Sequence, residues 1–317
     1  MMNFDFDDRP FGHKLAEMGS NFPNLVVVDA DLQRATETTI FKEIFPERYY
    51  DVGIAEANLV GVSAGLALVG KTVFCGTFAC FISQRACDQV VISVAYCNSN
   101  VKLVGIEAGL SSGRNGASHQ AMLDIAIMRS IPNMKVIEPA DAVELRSAME
   151  VMAFIEGPVY LRTPRGKVPK IFDKAAYHFE FGKAHEVCSG SDVCILACGM
   201  EVIEAMKAAE ELQKDGVSVK VLNISSIKPI DTQAILDAAK ETGCFVVAEN
   251  HSVFGGLGSA VCEIVCGVVP IPVVQIGIRD SFGEVGPVDW LMDKFQLNST
   301  YIVQAAKKAL ELKKGKK

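Results

Sequence analysis

A single carboxylate, Glu56, stands where a short predicted strand, residues 49–52, meets a predicted helix, residues 55–69. The helix residues after it are apolar, Gly, Ser or Asn, and this composition predicts a helix that is buried on nearly every side. Water therefore has little access to the carboxylate. Glu56 either stabilises the N-terminus of its own helix or hydrogen-bonds a ring nitrogen of a bound cofactor.

Two aromatic residues, Phe78 and Phe81, follow the next predicted strand with a spacing of i and i+3. In a helix this spacing puts both rings on one face. The pair is either part of the core or a platform on which a flat heteroaromatic ring stacks.

The segment 109–120 follows a buried strand and is rich in small polar residues, with three glycines and three serines around Asn115 and His119. Loops at the carboxyl ends of parallel strands are where α/β proteins bind ligands. His119 could simply cap the helix predicted after it. Its small polar neighbours favour a site residue instead.

Two arginines, Arg162 and Arg165, lie at the end of another predicted strand. A planar guanidinium group binds carboxylates and phosphates through paired hydrogen bonds, so the position suits an anionic substrate group. Surface ion pairing is the alternative.

The elements that must position these side chains alternate between apolar strands and helical patterns along the whole chain. Further strands are predicted at residues 24–28, 71–74, 101–106, 134–137, 159–162, 193–197, 218–222, 244–248 and 273–276. Further helices are predicted at residues 11–19, 82–96, 121–130, 142–154, 201–215, 232–242, 258–265 and 301–313. Continuous Val- and Ile-rich strands with helices between them are typical of parallel sheets covered on both faces. The sequence therefore predicts an α/β fold with two domains of mostly parallel sheets flanked by helices.

The domain junction is predicted within residues 162–191, which contain Pro164, Gly166, Pro169 and little periodicity. This gives a first domain at 1–165, a linker at 166–190 and a second domain at 191–317. Both domains have ordinary sizes.

Composition argues against several classes of protein. Half of the 317 residues are hydrophobic and the mean hydropathy is +0.25, but Gly or Pro interrupts the longest apolar runs before they reach membrane-spanning length. The first residues are acidic, whereas a secretory signal begins with basic residues. The ten cysteines include no Cys-x-x-Cys pair, which indicates reduced thiols in the cytoplasm and no zinc site. The net charge is −7 and the basic run at 313–317 is typical of a solvated tail, so no nucleic acid is expected. Residues 255–258 lack the spacing of a dinucleotide-binding motif, which favours a tight turn there.

Over essentially its whole length the chain resembles the C-terminal half of transketolase. The matching motifs are G-I-A-E at residues 53–56, the aromatic pair Phe78 and Phe81 with Arg85 and Gln89 beyond it, G-x-S/T-H-Q at residues 116–120, and residues 129–134 leading to Pro-Ala-Asp at 139–141. Each motif alone is a weak signal, but their order and spacing together are specific.

The resemblance implies a thiamine diphosphate enzyme with a pyrimidine-binding domain followed by the family's smaller C-terminal α/β domain. It implies that Glu56 hydrogen-bonds N1′ of the aminopyrimidine, so that the 4′-amino group can remove the thiazolium C2 proton. Phe78 and Phe81 would hold the ring, and Ile54 and Asp31 would also contact the cofactor.

His119 is expected to be catalytic and to hydrogen-bond substrate hydroxyl or carbonyl oxygens. The other substrate-binding residues that the resemblance implies are Arg162, Asn115, Arg114, Arg34 and Arg9, with His13 as a rival to Arg9.

The family's G-D-G motif with its later Asn, which holds the metal and the diphosphate, has no match in this sequence. The resemblance therefore implies one subunit of a split transketolase. Its partner would be the N-terminal, diphosphate-binding subunit in an α2β2 heterotetramer, and that partner would hold most of the Mg²⁺ and diphosphate contacts.

Departures from the family fall on the positions that contact the sugar. Arg114 and Asn115 replace an acidic pair, Glu107 replaces a His, and residues 33–35 lack a phosphate-binding Ser. The expected reaction is two-carbon ketol transfer from an anionic ketose, such as 6-deoxy-6-sulfofructose or apulose 4-phosphate, to an aldose phosphate. The alternatives are an ordinary pentose-phosphate transketolase subunit, a 2-oxoacid dehydrogenase β subunit, and a non-catalytic α/β anion-binding protein.

Overall fold

The computed structural model describes residues 4–315, and its strands follow the predicted alternation. The strands are β1 (Phe6–Asp8), β2 (Leu25–Asp29), β3 (Tyr49–Asp51), β4 (Thr72–Phe78), β5 (Val101–Ile106), β6 (Lys135–Ile137), β7 (Val159–Thr163), β8 (Lys167–Pro169), β9 (His185–Cys188), β10 (Val193–Ala197), β11 (Val219–Asn223), β12 (Ser226–Lys228), β13 (Phe245–Ser252) and β14 (Val273–Ile278).

The helices between the strands are mostly regular. They are α1 (Pro10–Asn21), α2 (Thr39–Ile44), α3 (Glu56–Leu68), α4 (residues 81–96), α5 (Asp124–Ser130), α6 (Ala142–Phe154), α7 (Glu201–Lys214), α8 (Thr232–Thr242), α9 (Leu257–Val265), α10 (Val288–Lys294) and α11 (Ser299–Lys314). Short 3₁₀ turns lie at Pro46–Arg48 and Gly109–Asn115. No helix within residues 4–315 is both long and apolar enough to cross a membrane.

Helix α4 is irregular, because π-helical turns at Phe81–Arg85 and Val90–Tyr96 flank a short α-helical turn at Cys87–Gln89. Sequence periodicity predicted an ordinary helix here. A π-helical turn widens the spacing of side chains and is frequent at functional sites.

Two parallel sheets form the framework and confirm the predicted fold class. The first has the strand order β12-β6-β7-β5-β4-β2-β3 and the second the order β14-β13-β10-β11-β9. All neighbours pair in parallel except the edge strands β12 and β9, which are antiparallel to β6 and β11.

The helices cover both faces of each sheet. Helices α1, α2 and α6 share one apolar cluster with the first sheet, and α7 and α11 share another with the second. A third cluster, to which α3, α4, α5, α8 and α9 contribute, runs without interruption from one sheet to the other. The two domains therefore share a core.

The segment predicted as a linker, 166–190, contains paired strands. Strand β8 pairs with β1 at the N-terminal side, and β9 joins the second sheet. Strand β12 comes from the second half of the chain but extends the first sheet. Short edge strands of this kind depend on distant partners, so local sequence patterns do not reveal them.

The composition of helix α3 predicted burial on nearly every side, and this prediction is wrong. Its buried residues lie on one face only (Glu56, Leu59, Val60, Ser63 and Ala64). On the other face, a β-carbon at Gly61 or Gly65 would meet nothing within 4 Å. An apolar helix face without cover is typical of a contact surface for another chain.

The predicted substrate contact Arg162 is wrong, since the structure puts this side chain in the interface between the domains. Arg162 is fully buried. Its Nε donates to Asp124 Oδ2 at 2.8 Å, its Nη1 pairs with Glu138, and its Nη2 donates to the carbonyl oxygens of Ala121 and Asn250 at 3.0 and 2.7 Å. With each of its nitrogens engaged by protein groups, the guanidinium cannot reach a substrate.

We expect Arg162→Ala to lower the free energy of unfolding by about 3–5 kcal/mol, because it leaves the carboxylates of Asp124 and Glu138 buried without their cation. Urea denaturation of the chain measures this. Arg146→Ala is the matched control, since Arg146 pairs with Asp7 at 2.8 Å in a partly exposed position and should cost at most about 1 kcal/mol. Equal losses for the two variants would contradict the structural role of Arg162.

Candidate active site

Glu56 is reached through a turn that Asp51 organises. Gly53 has a left-handed φ of 73°, and the Asp51 carboxylate accepts hydrogen bonds from the backbone N–H groups of Gly53 and Asp31, both at 3.0 Å. Glu56 is then the first residue of α3. Its side chain is only 2% exposed, so the predicted burial of the carboxylate is confirmed.

Arg85 is the ion-pair partner of this buried carboxylate. Its Nη1 lies 3.0 Å from both oxygens of Glu56, while its own side chain is 53% exposed. The guanidinium also stacks on the Phe81 ring, 4.2 Å from the ring centroid. A ligand that displaces Arg85 must therefore bring its own hydrogen-bond donor to Glu56, because a buried carboxylate left without a donor is costly.

Three aromatic rings lie beside this pair. Phe78 and Phe81 meet edge to face with centroids 5.6 Å apart, and the His119 ring lies 5.3 and 5.1 Å from them. His119 Nδ1 is 2.9 Å from the Ser118 hydroxyl. The structure thus brings together residues that the sequence placed in three separate stretches.

These groups fit a flat heteroaromatic ring that carries a donor nitrogen. Glu56 supplies the buried acceptor, and Phe81 supplies a face that already holds a planar cation. Of the other two residues expected at the cofactor, Ile54 is 77% exposed just before α3, and Asp31 is exposed with a left-handed φ of 59°. Both adjoin the turn that positions Glu56.

Glu107 links the residues on the sugar side of the predicted site. Its backbone is left-handed, with φ 58°, and its side chain is largely buried. Its carboxylate accepts hydrogen bonds from Arg165 Nη1 at 2.6 Å, Asn115 Nδ2 at 2.8 Å and Ser112 Oγ at 3.1 Å. Glu107 therefore holds Asn115 and Arg165 in fixed positions.

Arg165 and Arg34 line one cavity of about 400 Å³, together with Asp31 and the backbone turn of residues 32–35. Two guanidinium groups at one cavity suit an anionic group. Sequence reasoning chose Arg162 as the substrate arginine of this strand end, whereas Arg165 is the one that reaches the cavity. Position in the chain could have distinguished the two arginines, because Arg162 lies within β7 whereas Arg165 lies beyond its end and beyond Pro164.

Arg9 is brought toward the same region by Glu37. The Glu37 carboxylate accepts hydrogen bonds from the backbone N–H groups of Gly12 at 3.0 Å and Gly166 at 2.8 Å, and Arg9 N–H donates to the Gly166 carbonyl at 2.9 Å. The Arg9 side chain is exposed and contacts Asp8. Arg9 therefore contacts Gly166, the residue that follows Arg165. It does not itself line the cavity.

Arg114 is exposed at the end of the 3₁₀ turn Gly109–Asn115 and is not among the residues that line the cavity with Arg34. The structure therefore does not bring these two predicted substrate arginines together. The sequence analysis also gave no role to Arg85. Its spacing of four residues from Phe81, which in a helix brings two side chains together, was the signal that could have indicated their contact.

Two family models match the chain. The pyrimidine-binding domain of transketolase matches residues 9–170, and the C-terminal domain of transketolase matches residues 182–302. The chain therefore belongs to the transketolase family.

Its relatives include components of split enzymes. It is 46% identical over 299 residues to a 6-deoxy-6-sulfo-D-fructose transketolase subunit of a Clostridium species, covering 94% of this chain and 92% of that one. It is 38% identical over 274 residues to one of the subunits of the apulose-4-phosphate transketolase of Phocaeicola vulgatus, covering 86% and 87%. A solved chain described as a split gene transketolase, inactive beta4 tetramer, is 44% identical and superposes with a TM-score of 0.90 over 96% of this chain and 98% of that one. These matches confirm the resemblance found in the sequence motifs.

Proposed function

We propose that this chain is the pyrimidine-binding subunit of a two-subunit, thiamine diphosphate-dependent transketolase. The enzyme would transfer a two-carbon ketol unit from an anionic ketose to an aldose phosphate in the cytoplasm, where its free thiols remain reduced. The observation that carries the proposal is the convergence of buried Glu56, the Phe78 and Phe81 rings and His119.

Each residue has a role that its position supports. Bound thiamine diphosphate supplies a carbon nucleophile that also accepts the electrons of the broken C–C bond. Glu56 would hold a proton at the ring nitrogen N1′, and Phe81 would fix the ring plane after Arg85 moves aside. His119, at the edge of both rings, would hydrogen-bond a substrate oxygen and shuttle a proton to or from it. Arg34 and Arg165 would bind the anionic end of the sugar.

A partner subunit would cover the open face of α3. Large apolar side chains are exposed on and beside this helix (Ile54, Leu68, Val69, Ile92 and Tyr96). Gly61 and Gly65 let another helix approach closely, since neither has a side chain and the space above them is open. We propose that the partner is the N-terminal subunit, that it supplies most of the contacts to Mg²⁺ and diphosphate, and that the assembly is an α2β2 heterotetramer.

The experiment that tests the function compares the chain alone with the chain plus the subunit that copurifies with it. We expect no transferase activity and weak cofactor binding from the chain alone, and ketol transfer to a ribose 5-phosphate acceptor from the complex. The description of one similar chain as an inactive tetramer agrees with this expectation. Full activity of the isolated chain would refute the two-subunit proposal.

Gly61→Leu tests the proposed contact face in the same experiment. It should block assembly while leaving the isolated chain as stable as before or slightly more so, because Leu favours a helix over Gly. Gly267→Leu is the matched control, since Gly267 also has open space around it but lies in the second domain, after α9.

Glu56→Gln should lower kcat of the assembled enzyme by about 10²–10⁴-fold, because the amide keeps the shape but cannot hold the proton at the ring nitrogen. The measurement uses saturating cofactor, so that weaker binding does not mimic the effect. A loss below about threefold would reduce Glu56 to a residue that stabilises its own helix terminus.

The anionic end of the donor should depend on Arg34. Two similar chains are named for a sulfonated fructose and for apulose 4-phosphate, and we propose that this chain also takes an unusual anionic ketose. Arg34→Ala should cost about 1–3 kcal/mol in kcat/KM for the preferred donor, as for a lost charge-assisted hydrogen bond. The donors compared are 6-deoxy-6-sulfofructose, apulose 4-phosphate and fructose 6-phosphate.

Arg114→Ala is the comparison variant for this prediction. Arg114 remains a predicted substrate contact, but it does not line the cavity that contains Arg34, so its loss should be smaller. Equal small losses for both variants on every donor, or a wild-type preference for fructose 6-phosphate, would favour an ordinary pentose-phosphate enzyme.

A further inference from the structure

The loop of residues 109–120, here called the His119 loop, is shaped by the second domain. The loop begins and ends at a bridge between Ala108 and Ala121, where the Gly109 N–H donates to the Ala121 carbonyl at 3.0 Å. Between these ends it carries Asn115 and His119. The side chain that lies against its first residues is Asn250, from strand β13 of the second sheet.

Asn250 satisfies two backbone groups at the origin of this loop. Its Oδ1 accepts a hydrogen bond from the Leu110 N–H at 2.9 Å, and its Nδ2 donates to the Ala108 carbonyl at 3.3 Å. The side chain is almost fully buried, so no water replaces either bond easily. One amide group therefore pairs with the chain on both sides of Gly109.

The glycines of the loop fit the second domain closely. A β-carbon at Gly109 (φ 57°) would lie 2.4 Å from Asn250, and one at Gly116 (φ 78°) would lie 2.7 Å from Val285. At these two positions they make room for the second domain.

The far end of the loop is held in the same way. The Gln120 side chain donates to the Glu284 carbonyl at 2.8 Å, and a β-carbon at Gly283 would lie 1.6 Å from Gln120 Oε1. Both ends of the loop therefore take their path from the second domain, and His119 lies next to the second contact.

We propose that Asn250 is a positioning residue for the active site: it sets the path of the His119 loop and thereby the placement of Asn115 and His119. This deepens the proposed function and rests on it for the catalytic consequence. The positioning itself is a property of the chain that can be measured without any activity.

The experiment combines amide hydrogen exchange on the chain with kinetics of the two-subunit enzyme. In Asn250→Ala the Leu110 amide loses its acceptor and should exchange at least about tenfold faster. Asn250→Asp keeps an acceptor for Leu110, so it should preserve much of the protection. In the assembled enzyme, Asn250→Ala should lower kcat by up to about 10²-fold, as for a misplacement of about 1 Å, with a smaller change in the KM of the donor.

Asn223→Ala is the matched control. Asn223 is also a buried asparagine at the end of a second-domain strand, and it also crosses the interface, donating to both oxygens of Glu144 at 3.0 and 2.9 Å. Both of these hydrogen bonds go to Glu144 and neither reaches the His119 loop, so this variant should leave Leu110 exchange unchanged and kcat within about threefold.

Each outcome decides the proposal. Unchanged Leu110 exchange in Asn250→Ala overturns it, and so do equal effects of Asn250→Ala and Asn223→Ala on exchange and kcat, because the residue would then act only through general stability. Faster Leu110 exchange confined to Asn250→Ala supports loop positioning even if the wild-type complex proves to have no transketolase activity, in which case only the proposed function fails.

Discussion

The buried guanidinium of Arg162 is the interaction on which the arrangement of the two domains depends. It lies between Asp124 and Glu138 in the first domain and also donates to the Asn250 carbonyl of the second. Burial raises the pKa of Glu138, and the adjacent Arg162 opposes that rise; Glu138 also accepts a hydrogen bond from Cys198 Sγ at 3.1 Å. Separating the domains would break the bond from Arg162 to the Asn250 carbonyl, the bond from Cys198 to Glu138 and the apolar cluster that joins the sheets. Buried charges tolerate few geometries, so this network fixes the relative positions of the domains as well as their contact.

The same network occupies the place where the second domain would otherwise bind a ligand. Open α/β sheets bind ligands beyond the carboxyl ends of their strands, at the point where the strand order reverses, which here lies between β10 and β13. Glu138 fills the space beyond β10, where a β-carbon at Gly199 would lie 2.3 Å from its Oε1. The N-terminus of α9 is filled too, since the Glu249 carboxylate accepts hydrogen bonds from the Leu257 and Gly258 N–H groups at 2.7 and 2.8 Å. An external anion therefore has no place at either position.

Sequence patterns predicted the elements that are regular and locally determined. The strands Val101–Ile106 and Val193–Ala197 and the helices Ala142–Phe154 and Thr232–Thr242 have the predicted bounds. The predicted burial of Glu56 is confirmed, although its helix is buried on one face and not on nearly every side. What failed depended on distant partners: the edge strands β8, β9 and β12, and the choice of Arg162 over Arg165. The choice of Arg162 failed because a strand pattern shows that a side chain points inward but not which groups meet it there.

Within the first domain, the residues proposed for the cofactor and those proposed for the sugar form two sets with separate hydrogen-bond connections. Glu56, Phe81 and Arg85 contact one another through an ion pair and a stacked guanidinium, whereas Glu107 connects Asn115 with Arg165. In the described structure no hydrogen bond joins Glu107 to Glu56 or Arg85. Changes at the sugar set therefore need not disturb the groups that polarise the cofactor. This separation would allow the departures that the sequence motifs indicate at Glu107 and Arg34 without a change at Glu56, Phe78 or Phe81.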